Sequence, residues 1–278
     1  MPKKSDIPVS EVISQIPRAP APQDLFGWTV PVEQIPLPSG GMIYPAGSSL
    51  HGKTSLQIKA MTAQEEDILM SRALWKEGTV TSRLIESCLI DKTINPSDML
   101  SGDRNALLVA IRITGYGANY RAGASCTACG KSDTYEFDLA GLEIKRLEHN
   151  PIAPGTNEFE FILPVSKKRV TFKLTTIRDE EEEKITKERM QKLFPGAKEE
   201  GAVTGMLEKQ VVSIDGKTDR SSISSFIKMM PAADSRALRT HIISVEPGLN
   251  MQVSFSCNHC DAESKVALPM GAAFFWPE

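Results

Sequence analysis

Two cysteine pairs constrain the fold of this chain more than any other feature. Each has the spacing Cys-x-x-Cys: Cys126 and Cys129 lie in ASCTACGKSDTYEFDL, and Cys257 and Cys260 lie in VSFSCNHCDAESKVAL. Such a turn presents two thiolates to one metal ion, which is half of a tetrahedral zinc site. We therefore predict that the two pairs meet and bind one structural zinc ion, although 127 residues separate them.

The flanks of the two pairs are alike. A polar turn and then an alternating apolar stretch follow each pair, with Tyr135, Phe137 and Leu139 after the first and Val266 and Leu268 after the second. Two such turns facing each other form a zinc ribbon.

Cysteine pairs with this spacing also occur without zinc, in three ways. A dithiol redox centre usually needs a strand before the pair and a helix after it, whereas a polar turn and a strand-like stretch follow both pairs here. Structural disulfides are disfavoured because residues 1–20 contain no apolar core of a signal peptide, which indicates a reducing cytosol. A chance occurrence of two unrelated pairs is the remaining alternative.

Two further residues near these patterns have simpler predicted roles. His259 lies inside the second cysteine turn, where we expect a position beside the ligands or in solvent. Cys88, in the apolar-periodic run RLIESCLI, is predicted to be a buried core thiol. With four cysteine ligands, the zinc ion has no open position for water or substrate, so the predicted site is structural.

Composition limits the partners. At 41% hydrophobic content, 278 residues can form a core in one elaborate domain or two. The net charge is −3, and no Lys/Arg cluster is interleaved with aromatic residues, so nucleic acid is not expected as the main partner. The longest apolar runs are far below about 18 residues, so no membrane span is predicted. The four histidines have no spacing typical of catalysis, and we predict no catalytic residue and no small-molecule substrate.

The stretch GSSLHGKT at residues 47–54 matches the phosphate-binding pattern G-x-x-x-x-G-K-[ST]. In such a loop Lys53 contacts the terminal phosphates and Thr54 contacts magnesium. That loop must connect a buried strand directly to a helix, whereas Pro45 interrupts the run before it and a strand-like alternation follows it. We interpret the stretch as a turn between two strands and keep a P-loop NTPase as an alternative.

The remaining patterns predict an α+β fold of helical segments and short antiparallel strands around the four-cysteine site. Thr62 and Glu65 in MTAQEEDIL fit a capping box at the start of a helix. EFEFIL (158–163) and RVTFKLT (169–175) alternate and predict an antiparallel pair. Further helices are predicted in SRLIESCLI, from about Asp103, in RDEEEEKITKERMQKLF, and around residues 206–212, 223–229 and 233–243.

The distribution of prolines divides the chain. Residues 1–45 hold nine of the eighteen prolines, which remove backbone donors and favour extended conformations. We expect residues 1–36 to form an extended arm that docks on a partner or on the body of the protein. We further expect a body with the first cysteine turn at 37–140, an inserted α+β subdomain at 141–250, and the second turn with a C-terminal strand at 251–278.

The order of several motifs resembles one known family. These motifs are LPSGGMIYP (37–45), an alternating strand, MTAQEEDIL (61–69), IRITGYGANY (111–120) and CTACG (126–130). Their succession resembles the baseplate proteins of T-even-type contractile-tailed phages, whose members are implicated in assembling the central hub.

The resemblance covers about residues 35–140. It implies a non-enzymatic structural or assembly protein that contacts other baseplate or tail proteins. Its expected locations are the host cytoplasm during assembly and the tail baseplate of the virion. A zinc-ribbon adaptor of a cellular complex is the alternative.

Overall fold

The computed structural model describes residues 7–8, 29–193 and 201–276. Within these ranges the protein is a mixed α+β structure with eight α-helices and twelve short strands, paired antiparallel in five small sheets. The predicted α+β class with short antiparallel strands is thereby confirmed. Most of the predicted arm, residues 1–6 and 9–28, lies outside the described ranges.

Within the described ranges, helices and strands follow one another in groups, and no βαβ unit repeats. The first half contains β1 (Ile7–Pro8), β2 (Val32–Pro36), β3 (Ser55–Lys59), α1 (Ala63–Met70), α2 (Arg72–Glu77), α3 (Val80–Cys88), α4 (Ser101–Tyr116), β4 (Asn119–Ser125) and β5 (Ser132–Asp138). The second half contains β6 (Glu143–Lys145), β7 (Phe159–Ile162), β8 (Arg169–Phe172), α5 (Ile177–Leu193), α6 (Ala202–Gln210), β9 (Val211–Ile214), α7 (Arg220–Met229), α8 (Ala232–Val245), β10 (Gly248–Leu249), β11 (Gln252–Ser256) and β12 (Glu263–Ala267). The sheets of the described residues are β2–β3, β4–β5, β11–β12, β1–β6–β10 and β7–β8–β9.

The predicted capping box determines where α1 begins. The backbone N–H and the hydroxyl of Thr62 both donate to the Glu65 carboxylate, at 2.9 and 2.6 Å. Lys59 of β3 and Ser87 of α3 donate to the same carboxylate. Glu65 is fully buried, so this one side chain ties three elements together.

The predicted pairing of residues 158–163 with 169–175 is confirmed, because Phe159 lies opposite Phe172 in the β7–β8 ladder. The helix predicted around 206–212 ends at Gln210 instead. Val211–Ile214 continues as strand β9 on the other side of β8. Two adjacent valines favour a strand, and the free edge of β8 supplies the ladder partner that the local pattern does not show.

One apolar core connects the elements of the described chain, with α4 at its centre. Leu107, Val109 and Ile111 of α4 are each fully buried, although they lie on different sides of the helix. A helix buried on several sides must be covered by neighbours all round. Cys88 is also fully buried, which confirms its predicted role as a core thiol.

The structure describes two short parts of the predicted arm, and each contains a strand that pairs with another strand. Val32–Pro36 forms β2 against β3, and Ile7–Pro8 forms β1 against β6. The division into arm, body and insert stays a prediction. Among the described residues, no helix combines the length and apolar character needed to cross a membrane.

Candidate metal centre

Each cysteine pair forms the turn of a β-hairpin. Cys126 and Cys129 connect β4 to β5, and Cys257 and Cys260 connect β11 to β12. Both ladders run up to the residue just before the first cysteine, since Ser125 pairs with Ser132 in the first hairpin. The strands therefore fix the turn from which the thiols project.

The backbones of the two turns follow the same path. In the first, the Gly130 N–H donates to the Cys126 carbonyl at 2.9 Å, and in the second the Asp261 N–H donates to the Cys257 carbonyl at 2.9 Å. Gly130 (φ +72°) and Asp261 (φ +57°) both have the left-handed conformation. Glycine adopts it without steric cost, and aspartate is one of the few other residues that tolerate it. The two turns are thus the same structural unit.

The fold brings all four thiols together. Their Sγ atoms lie within 4.8 Å of one another, with 3.7 Å between Cys126 and Cys260 and 3.7 Å between Cys129 and Cys257. A zinc ion with four thiolates at about 2.3 Å separates the sulfur atoms by about 3.8 Å. Disulfide sulfurs lie only about 2.05 Å apart, so these cysteines are free thiols. The donor set and its spacing are compatible with a tetrahedral metal ion.

The first cysteine of each pair is buried and accepts hydrogen bonds. The N–H of Ala128 donates to Cys126 Sγ, and that of His259 donates to Cys257 Sγ, each at 3.4 Å. The hydrogen bond from Ser264 has the largest effect on the Cys126 thiol, and together with bonds from backbone N–H groups it lowers the pKa of that thiol to about 6. The His259 N–H lowers the pKa of the Cys257 thiol. Because the thiolate is the metal ligand, these bonds favour metal binding.

The two hairpins also support each other's turns through hydroxyl groups. The Thr127 N–H donates to Ser264 Oγ of β12 at 3.3 Å, and the Asn258 N–H donates to the Tyr135 hydroxyl of β5 at 3.2 Å. Tyr135 also packs on Phe255 of β11, with ring centroids 4.4 Å apart. Sequence reasoning missed the roles of Ser264 and Tyr135, because their partners lie 137 and 123 residues away.

His259 does not belong to the group of four clustered ligands. Its Nε2 lies 3.9 Å from Oδ2 of Asp133 in β5, and only its backbone N–H contacts a cysteine sulfur. This placement agrees with the expected position beside the ligands.

The stretch at residues 47–54 lies in the connection from β2 to β3, so a strand rather than a helix follows it. Lys53 Nζ lies 2.5 Å from Asp91 Oδ2, and a Cβ on Gly41 would meet the Lys53 backbone at 2.5 Å. A phosphate-binding loop requires a helix N-terminus and a lysine directed at phosphate. The predicted turn between two strands is confirmed.

Fold and site together define a mixed α+β protein with a four-cysteine cluster that is compatible with a metal ion. A family comparison matches residues 37–276 to the T4 bacteriophage base plate protein family. Because the match covers most of the chain, the protein belongs to this family, and the resemblance extends through the second cysteine turn. No curated protein and no solved structure matches the chain. Membership implies a structural protein of the phage tail that contacts other tail proteins.

Proposed function

We propose that this protein acts in the hub region of the phage baseplate, either as a permanent component or as an assembly protein. It is not an enzyme in this proposal and works through contacts with other baseplate or tail proteins, which it first meets in the host cytoplasm. Family membership supports the baseplate assignment and favours it over an adaptor of a cellular complex.

The proposal includes a structural zinc ion held by Cys126, Cys129, Cys257 and Cys260. The observation that carries it is the convergence of these four thiols within 4.8 Å from turns far apart in the chain. Four thiolates complete the tetrahedral shell of zinc, and the ion then links the two hairpins. Since the ligands converge only in the folded chain, metal binding adds to folding stability, by about 10–16 kcal/mol in small zinc domains. The large core here retains structure without it.

Metal analysis of the native protein tests the site. We expect one zinc ion per chain in the wild type and in the control Cys88→Ala, whose thiol lies in the core away from the cluster. Cys257→Ser should lose the metal and melt at a lower temperature. Absence of zinc from the wild type, or unchanged metal content and stability in Cys257→Ser, contradicts the zinc site.

Quantitative mass spectrometry of purified virions and of baseplate intermediates tests the assembly role. A constant ratio to tail proteins in virions identifies a permanent component, whereas presence only in intermediates identifies an assembly protein. An abundant host protein serves as the control for contamination. Absence from both preparations contradicts the baseplate function.

A further inference from the structure

We infer that the four-thiol centre has a second, oxidised state in which two disulfides cross between the hairpins. One joins Cys126 to Cys260 and the other joins Cys129 to Cys257. In this state the covalent bonds replace the metal ion as the link between the hairpins. The inference rests on the proposed function in one respect only, namely that the reduced state binds zinc.

The geometry favours these two crossed pairs. In each pair the Sγ atoms lie 3.7 Å apart, which is about 1.7 Å longer than a disulfide bond. Side-chain rotation and a small shift of the turns can close this gap. Each pair also combines one buried thiol, Cys126 or Cys257, with one exposed thiol, Cys260 or Cys129. An oxidant therefore reaches the exposed member first, and its buried partner is adjacent.

Contacts around the buried thiol direct it towards the opposite hairpin. Cys126 Sγ accepts hydrogen bonds from the Ala128 N–H at 3.4 Å and from Ser264 Oγ of β12 at 3.5 Å. The Gly130 N–H at the same time fixes the Cys126 carbonyl within the turn. The Cys126 sulfur therefore already lies against atoms of the opposite hairpin, with Ser264 Oγ at 3.5 Å and Cys260 Sγ at 3.7 Å, and this placement favours the crossed disulfide over one within the turn.

The chemistry needs a two-electron oxidant, for which we take hydrogen peroxide. The thiolate of Cys129 or Cys260 attacks peroxide, so that an S–O bond forms, the O–O bond breaks and hydroxide leaves. The resulting sulfenic acid condenses with the buried thiol. An S–S bond forms, the S–O bond breaks, and the hydroxyl group leaves with the thiol proton as water. Two peroxide molecules per chain convert all four thiols and release the metal ion.

The crossed bonds keep the same parts of the chain together. They join residues 134 and 128 positions apart, which are the positions that the metal links in the reduced state. A disulfide within one turn would leave the hairpins unlinked.

The test treats purified, metal-loaded, full-length protein with hydrogen peroxide. A chelating dye follows metal release, and mass spectrometry of peptides prepared without reduction maps the disulfides. We expect loss of the bound metal together with disulfides between the two hairpins. Cys88 is the internal control, because its side chain is fully buried in the core and peroxide does not reach it in the folded protein. Disulfides confined to Cys126–Cys129 and Cys257–Cys260, or sulfinic acids without disulfides, overturn the inference.

Two matched variants distinguish the possible crossed pairings. After oxidation, Cys260→Ser should contain a Cys129–Cys257 disulfide and a free Cys126, and Cys257→Ser should contain a Cys126–Cys260 disulfide and a free Cys129. A Cys126–Cys257 bond in the first variant overturns the inference. If the native wild type contains no metal, the zinc proposal fails, while disulfide mapping of the same sample still decides the pairing.

Discussion

Gly102, near the start of α4, packs directly on the backbone of Pro247, just before β10. A Cβ at Gly102 would lie 1.9 Å from the Pro247 carbonyl oxygen and 3.0 Å from the Gly248 Cα atom. Both atoms belong to the main chain, so neither can move aside as a flexible side chain does. The central helix approaches the C-terminal third of the chain this closely because residue 102 has no side chain.

Gly102→Ala should therefore destabilise the protein by about 1–3 kcal/mol, as overpacking does in other cores. Gly205→Ala is the matched control, because Gly205 also lies in a helix but a Cβ there meets nothing within 4 Å. That control should gain about 0.5–1 kcal/mol from helix propensity. Chemical denaturation of both variants measures the difference. Equal effects of the two substitutions would show that the Pro247 contact is relaxed in solution.

Glu65→Gln should weaken the junction of β3, α1 and α3. Burial alone would raise the pKa of Glu65, but hydrogen bonds from Lys59, Ser87 and Thr62 outweigh it and lower the pKa from 4.5 to about 2. The folded state therefore favours the carboxylate. Removing its charge should cost about 1–3 kcal/mol at neutral pH.

The same carboxylate makes stability depend on pH. Its contribution is fully present above about pH 4.5 and is lost as the pH falls towards about 2, because the unfolded chain binds the proton first. Urea denaturation at pH 7 and at pH 3 should show a smaller difference for Glu65→Gln than for the wild type. The exposed control Glu77→Gln should retain the wild-type difference. If Glu65→Gln shows the same difference in stability between pH 7 and pH 3 as the wild type, the role assigned to Glu65 is contradicted.

The roles of such residues differ in how far the sequence can predict them. The cysteine spacing and the Thr62–Glu65 capping box are local patterns whose ligand or cap partner lies within three residues, so both can be predicted directly. The end of α6 cannot be predicted from the local sequence, because strand β9 forms only where β8 offers a free edge, and the tertiary fold supplies that edge.

Gly102 gives no local indication of its role either. Its partner Pro247 lies in a distant part of the chain, and a glycine near a helix start otherwise indicates only a helix boundary. The hydroxyls of Ser264 and Tyr135 are similar cases, because a serine and a tyrosine in alternating strands are typical of ordinary strand positions. Contacts between distant segments decide these roles.

Arg112 is another long-range contact, and its loss should destabilise the C-terminal end. Arg112 is 2% exposed, and its guanidinium donates to the carbonyls of Phe274 at 3.0 Å, Gly117 at 2.8 Å and Asn119 at 3.2 Å. Arg112→Met keeps the apolar stem but leaves three carbonyl groups without their donor. We expect a loss of about 2–4 kcal/mol in denaturant unfolding.

Arg83→Met is the control for removing an arginine from a surface. Arg83 forms an exposed ion pair with Glu86 at 3.1 Å, and such pairs contribute about 0–1 kcal/mol. If Arg112→Met destabilises the protein no more than Arg83→Met, water replaces the guanidinium at the three carbonyls.

Lys53→Ala should have little effect, in keeping with a turn rather than a phosphate-binding loop. Lys53 pairs with Asp91, and both side chains are more than one third exposed, so the pair should contribute at most about 1 kcal/mol. Calorimetry with ATP and magnesium should show no binding to the wild type or the variant. Nucleotide binding by the wild type that Lys53→Ala abolishes would establish the P-loop alternative.

Deletion of residues 1–28 should leave the body folded, because the apolar core of the described residues begins at Ile35, after this segment. Ile7 and Pro8 pair with Ile144 and Glu143 at one edge of β6, while β10 occupies the other edge and remains after deletion. The β2–β3 pair and the cysteine turns lie outside the deleted segment. We therefore expect unchanged metal content and a melting temperature close to that of the wild type.

The same deletion should prevent incorporation into the baseplate, because it removes the apolar residues with which we expect the arm to dock on a neighbouring protein. A shorter deletion of residues 1–5 keeps the Ile7–Pro8 strand and is the matched control, which should still be incorporated. Complementation of a phage that lacks the gene compares the two. Normal assembly with the longer deletion rules out docking of the arm on a partner. A large drop in melting temperature would instead place the arm on its own body, because an arm that packs there contributes buried area to the monomer.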